Sequence, residues 1–254
     1  MTVHFVGAGP GAADLITLRA AALLQQADVV LFPGTYLDAE VLSHCPEARL
    51  VDTQRLDLDQ ITAELVSSSA AGLDVVRLTS GDPSLYSALA EQTRRLDAVG
   101  VAWDVTPGVP AYAAAAAAVG RELTVPLVAQ SVVLTRPQAR STQMPATESL
   151  ATFASTRATL CLHLAITRTR ELAASLVADY GADCPAIVVS RASQPEELVL
   201  RGTLADIGDQ VESAGLRQAA VILVGWALAG DGGESWLYQA DRPRLAKASS
   251  TPTG

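Results

Sequence analysis

The chain has 254 residues, 49% of them hydrophobic and 18% charged, with a formal net charge of −9. That composition permits a sizeable core and excludes a disordered chain. The acidity argues against a nucleic-acid partner and against adhesion to an anionic membrane surface, both of which call for a basic face.

Val3 to Val6 reads as a short strand running into Gly7-Ala-Gly-Pro-Gly11. Thr17 is placed to cap a helix through Ala27, and Val29 to Phe32 and Arg49 to Val51 read as strands. Leu58 to Ala71 has amphipathic helical spacing and stops at Gly72, as helices often do. Val75, Val76 and Leu78 form a short apolar run of the kind a buried parallel strand needs. It ends at Ser80-Gly81-Asp82-Pro83, after which Ser84 to Arg95 is predicted to be helical. Val101 to Val105 is the next strand, and Thr106-Pro-Gly-Val-Pro110 leads into an alanine-rich helix from Ala111 to Val119. Strands alternating with helices imply a parallel sheet covered on both faces.

The alternation breaks between Gly120 and Ala129. A second series follows: strands over 131–135, 158–164, 186–190, 198–201 and 219–224, and helices over 148–155, 169–180 and 204–214. Glu197 to Thr203 turns straight from its predecessor, so this sheet is predicted to be mixed. The organisation expected is an α/β chain of two lobes, residues 1–123 and 124–230, with a polar tail over 231–254 and a cleft between the lobes.

Several stretches carry chemistry. Asp82 stands on a Gly-Pro turn at the carboxyl end of a buried strand, where open α/β sheets bind ligands; it serves equally well as a cap for the next helix. Thr106 to Pro110 would lie at the same sheet edge. The glycine turn after the first strand admits a dinucleotide reading, but Pro10 lacks an amide donor and the helix begins too late to hold a pyrophosphate. A tight structural turn is the stronger reading there, and a backbone contact with a ligand is a third. The three cysteines share no close spacing and His4, His44 and His163 fit no metal pattern, so no metal site, no disulfide framework and a reducing, cytoplasmic setting are expected. No basic segment precedes an apolar one at the amino terminus, so no signal peptide is read there. His163, ending an apolar strand, reads as a satisfied core histidine. The sole lysine is Lys247 in the tail, so cations in the lobes are arginines, which suit planar carboxylates. Arg136, Arg140, Arg168 and Arg191 fall at second-lobe strand ends or in adjoining loops and could together grip a polycarboxylate.

In combination, Val-Gly-Ala-Gly-Pro-Gly at 6–11, Ser-Gly-Asp-Pro at 80–83 and Thr-Pro-Gly-Val at 106–109 resemble the tetrapyrrole methylase family, from about Val3 to about Leu228. Arg-Leu-Thr-Ser-Gly-Asp-Pro-Ser-Leu-Tyr (77–86), Glu-Leu-Thr-Val-Pro (122–126), Leu-Thr-Arg (134–136), Ala-Ser-Gln-Pro-Glu-Glu (192–197) and Arg-Gly-Thr-Leu (201–204) resemble the members that methylate precorrin-4, or its cobalt form, at C11. The resemblance implies an S-adenosyl-L-methionine-dependent enzyme of corrin assembly that releases S-adenosyl-L-homocysteine, and a homodimer. It implies a cofactor in the cleft, touched by Pro10, Ser80, Gly81, Asp82 and Leu85, by Pro110 and Ala111, and by Leu164 and Ala192. Arg136, Arg140 and Arg191 are the expected hold on the tetrapyrrole's carboxylates, and no catalytic side chain is assigned. Ala12-Ala13 and Leu164-Ala165 depart from the family's frequent Asp-Pro and Met-Gly. A dinucleotide-dependent oxidoreductase and a non-catalytic tetrapyrrole-binding protein are the rival readings.

Overall fold

Five short strands build the first sheet, the central ones apolar and buried and the edge strands more polar: β1 (Val3–Gly7), β2 (Val29–Phe32), β3 (Arg49–Asp52), β4 (Val75–Thr79) and β5 (Trp103–Thr106). The computed structural model describes residues 1–34, 37–138 and 143–236. All pairings are parallel, in the order β3-β2-β4-β1-β5. Side chains alternate across a strand, so one face of β4 sends Val76 and Leu78 toward α1 (Leu18–Gln26) and the other sends Val75 toward α2 (Leu58–Ala70) and α3 (Leu89–Ala98). Thr17 caps α1 by accepting from the Ala20 amide at 3.2 Å, and Asp57 with Gln60 forms a capping box on α2.

The predicted helix over Ser84 to Arg95 starts late, at Leu89. Asp82 takes the Ser84 amide and hydroxyl for itself, Ser87 donates to the Pro83 carbonyl, and Tyr86 and Ala88 have positive φ of 54° and 57°. These local bonds compete with helical ones and hold 82–88 as an open loop over the sheet edge.

The second sheet joins β6 (Val132–Thr135), β7 (Thr159–Leu162), β8 (Pro185–Ser190), β9 (Leu198–Thr203) and β10 (Ala220–Val224) in the order β6-β7-β10-β8-β9. It is mixed: β6 runs parallel to β7, while β7-β10, β10-β8 and β8-β9 are antiparallel. α5 (Leu150–Ala154), α6 (Thr169–Tyr180) and α7 (Ile207–Ser213) cover one face. The other face receives α4 (Ala111–Val119), whose Ala114, Ala115 and Val119 pack on Cys161, Ile187, Val189 and Leu223. The alanine run therefore works as a close-packing surface: small side chains let a helix that follows the first sheet lie directly on the second.

Candidate active site

The carboxyl ends of β4, β1 and β5 are neighbours, and three glycines after or at those ends touch one another. A β-carbon on Gly108 would lie 2.2 Å from the Gly81 carbonyl oxygen and 2.8 Å from Gly7 Cα. One on Gly7 would lie 2.5 Å from the Gly108 amide nitrogen. Gly9 and Gly81 exchange backbone bonds of 3.2 and 2.8 Å. The turn after β1 is thus knitted to the turn after β4, which is the structural reading of the glycine run; the helix amino terminus lies well beyond it, at Leu18.

Asp82 completes the junction. Its Oδ1 accepts from the Ser84 amide at 2.8 Å and from the Ser84 hydroxyl, and its Oδ2 accepts from the Gly108 amide at 2.8 Å. Partial burial disfavours the charge, but the Ser84 hydroxyl and the Gly108 and Ser84 amides outweigh it and hold the carboxyl below its ordinary pKa.

A cavity of about 730 Å³ opens beside this junction, between the two sheets. The first sheet contributes Pro10, Ser80, Gly81, Asp82, Leu85, Pro110 and Ala111 to its wall, and the second contributes Leu164, Arg191 and Ala192. Every expected cofactor contact therefore borders one space. Arg191 lies 3.5 Å from Glu196. Arg136, just past β6, is not part of the wall, but its charge acts on the Tyr86 phenol, which is. Arg140 lies outside the described residues. Arg168 is turned to Glu171 and the Gln138 carbonyl.

The wall also holds residues that sequence reasoning passed over. Arg77, within β4, is buried at 7% exposure yet borders the cavity. Arg217 borders it too, and with Arg77, Arg191, Asp38, Asp82 and Glu196 gives three cations against three acids in a chain whose acids outnumber its Lys and Arg 27 to 18. His163 is no satisfied core histidine: it faces the cavity, and its Nε2 is the one buried side-chain polar atom without a partner among the described residues. Burial lowers its pKa. Tyr86 from the first half and Tyr112 on α4 pack against it with ring centroids 5.6 and 6.5 Å away. Tyr86, Leu164 and Arg191 all have positive φ, a strained geometry concentrated at this wall.

Two bonds clasp the halves: Gln194 Nε2 donates to the Pro10 carbonyl and the Ala12 amide donates to Ser193 Oγ, both at 3.1 Å. Among the described residues no group of three or more His, Cys, Asp or Glu could hold a metal ion. No helix among them is long and apolar enough to cross a membrane.

Residues 2–208 match the family described as Tetrapyrrole (Corrin/Porphyrin) Methylases. A precorrin-4 C(11)-methyltransferase of Rhodococcus erythropolis is 55% identical over 96% of this chain and 99% of its own. The X-ray structure of a cobalt precorrin-4 methyltransferase of cobalamin biosynthesis superposes with a TM-score of 0.86 at 37% identity, covering 89% of this chain and 95% of that one. A uroporphyrin-III C-methyltransferase of Thermus thermophilus, complexed with S-adenosyl homocysteine, gives 0.74 at 26% identity, covering 91% and 100%. With the parallel sheet, the mixed sheet and the cavity between them, these likenesses fix the classification: the chain belongs to the tetrapyrrole methylases.

Proposed function

We propose that the protein transfers a methyl group from S-adenosyl-L-methionine to C11 of precorrin-4 during corrin assembly. One observation carries the reading: loop ends of β4, β1 and β5 and the second-sheet residues Leu164 and Ala192 border a single cavity. The volume, about 730 Å³, is within the ordinary range for small-molecule sites. Metal-free precorrin-4 is preferred to the cobalt form because the relative of higher identity is named for it.

The residues present suit an adenosyl amino acid. Glycine backbone at 81, Pro10, Pro110 and the small side chain of Ala111 let a ligand approach the main chain closely, while Leu85, Leu164 and Ala192 supply apolar contact. S-adenosyl-L-methionine would supply an electrophilic methyl on a sulfonium. The chain's own task is then to align the acceptor carbon and keep water out, so no nucleophilic side chain is required. Asp82 acts through the loops it ties, since both its oxygens are engaged within the protein. The rings of Tyr86 and His163, in contact at 51° to one another, offer aromatic surface to a macrocycle, and Arg191, Arg136 and Arg140 remain the proposed partners for its acidic arms.

Incubation with S-adenosyl-L-methionine and either precorrin-4 or cobalt-precorrin-4, followed by mass spectrometry, tests the reading. One added methyl on the metal-free substrate, at higher kcat/KM than on the cobalt form, is the expected outcome. No methylation of either, by protein that binds S-adenosyl-L-homocysteine, overturns it. A cytoplasmic homodimer belongs to the same proposal, checked by light scattering and cell fractionation.

A further inference from the structure

A buried charge is costly unless something of opposite sign meets it. Arg77 carries such a charge in the cavity wall, and no described carboxylate forms an ion pair with it. Its protein partners are all neutral. Nε donates to Gln92 Oε1 at 3.2 Å, and Nη1 donates to the Leu78 and Leu31 carbonyls at 3.1 and 3.5 Å and to Thr53 Oγ1 at 3.3 Å. Gln92 in turn donates to the Ser87 and Ala88 carbonyls at 3.2 and 3.1 Å, which fixes the guanidinium to the rim loop.

Nη2 receives no partner among the described residues. Among the described residues the only unpartnered side-chain polar atom sealed from solvent is His163 Nε2, so Arg77 Nη2 keeps an opening, and the space Arg77 borders is the cavity. Desolvation pushes the guanidinium down to about 10, still charged at neutral pH. The side chain is therefore a rigidly held cation with one free donor edge and no counter-charge.

We propose that Arg77 is a substrate-positioning residue whose Nη2 seats one carboxylate arm of the macrocycle. The proposal rests on the functional reading above. A carboxylate could also come from the amino-acid end of the cofactor, but location favours the macrocycle. The guanidinium reaches Leu31 on β2 and Thr53 just past β3. Those strands lie on the far side of β4 from β1 and β5, where Gly7, Gly81 and Gly108 meet. Lysine at this position would keep the charge but lose the planar fork through which Arg77 makes its four fixed bonds.

The test is Arg77→Lys, read by calorimetry with S-adenosyl-L-homocysteine and by kinetics with precorrin-4. The expected result is cofactor-product affinity within about two-fold of wild type and a KM for precorrin-4 raised about 10- to 100-fold, the range for a charge-assisted bond. An unchanged KM in a variant that binds S-adenosyl-L-homocysteine overturns the proposal. So does weaker binding of S-adenosyl-L-homocysteine with unaltered binding of 5′-methylthioadenosine, because the anion would then be the cofactor's. Should the variant fail to fold, wild-type protein with isotope-labelled arginine is titrated with sodium propionate or propionamide. A shift of the Arg77 side-chain resonance by propionate alone supports the anion seat, and no shift or an equal one overturns it. Failure of the wild type to methylate precorrin-4 would instead count against the functional reading, which the titration does not use.

Discussion

Asp82 Oδ2 and the Gly108 amide, 2.8 Å apart, join the turn after β4 to the turn after β5 across the intervening strand β1. The bond spans 26 residues of sequence and fixes the spacing of two loop ends that both border the cavity. Asp82→Ala removes it together with the bonds to Ser84, and the Gly108 amide must then find water. A loss of about 1–3 kcal/mol in stability follows, with weaker affinity for S-adenosyl-L-homocysteine. The carboxyl is held below its ordinary pKa, so its contribution is complete above the unfolded value near 4 and is lost as pH falls through the folded value. Denaturant melts from pH 7 to pH 3 should show wild type and variant converging in acid. Parallel curves would sink the argument.

Gly108→Ala probes the same junction by volume. The added carbon would lie 2.2 Å from the Gly81 carbonyl oxygen, which is backbone and cannot swing aside. Overpacking of this kind costs about 1–3 kcal/mol, and here the strain falls on the loops that shape the cavity. Gly100→Ala is the contrast, since a β-carbon there meets nothing within 4 Å and pays only for its φ of 71°. Gly108→Ala should lose S-adenosyl-L-homocysteine binding while Gly100→Ala retains it. Equal affinities by calorimetry would show that the glycine contact is incidental.

Most of the fold was legible because its signals are local. Apolar residues such as Val75, Val76 and Leu78, the Thr17 cap and the return from β8 to β9 each act within a few residues. Where local bonds competed, the reading slipped: the Asp82, Ser84 and Ser87 side chains delay α3 to Leu89 against a clear helical spacing. The site divides in the same way. Strand-end motifs pointed to one edge, and Asp82 and Pro110 do share a wall. Arg77 and His163 gave no such signal, because one reads as a polar interruption in a strand and the other as its last core residue. Tertiary contacts place both at the cavity: Gln92, Leu31 and Thr53 hold Arg77 there, and the rings of Tyr86 and Tyr112 flank His163.

His163 supplies a pH-dependent prediction. Burial lowers its pKa, so below about pH 6.5 the unfolded chain takes up a proton there that the folded chain refuses. Stability is then present above the unfolded value and lost as pH falls toward the folded one. His163→Phe removes the titration and keeps a ring between Tyr86 and Tyr112. The variant should melt at a temperature that changes less between pH 7 and pH 5 than that of the wild type. Identical slopes in a thermal-melt series would mean that other groups govern acid stability.

Gln194 tests whether the two halves must be clasped for the cofactor to bind. Its Nε2 donates to the Pro10 carbonyl at 3.1 Å, and Ser193 beside it accepts from the Ala12 amide at the same distance. The fit is close: a β-carbon on Gly11 would lie 2.3 Å from Gln194 Cγ, so only glycine leaves room for the side chain. Both bonds connect the glycine turn of the first sheet to the loop after β8, and each loop borders the cavity through Pro10, Arg191 and Ala192. Gln194→Ala deletes one clasp and opens a gap, which should weaken S-adenosyl-L-homocysteine binding about three- to ten-fold, the scale of one neutral bond. Gln194→Glu fills the gap but sets a carboxylate against the Pro10 carbonyl, so it should bind more weakly than the alanine variant. Should both variants bind as tightly as wild type, the bond from Gln194 to Pro10 has no part in shaping the site.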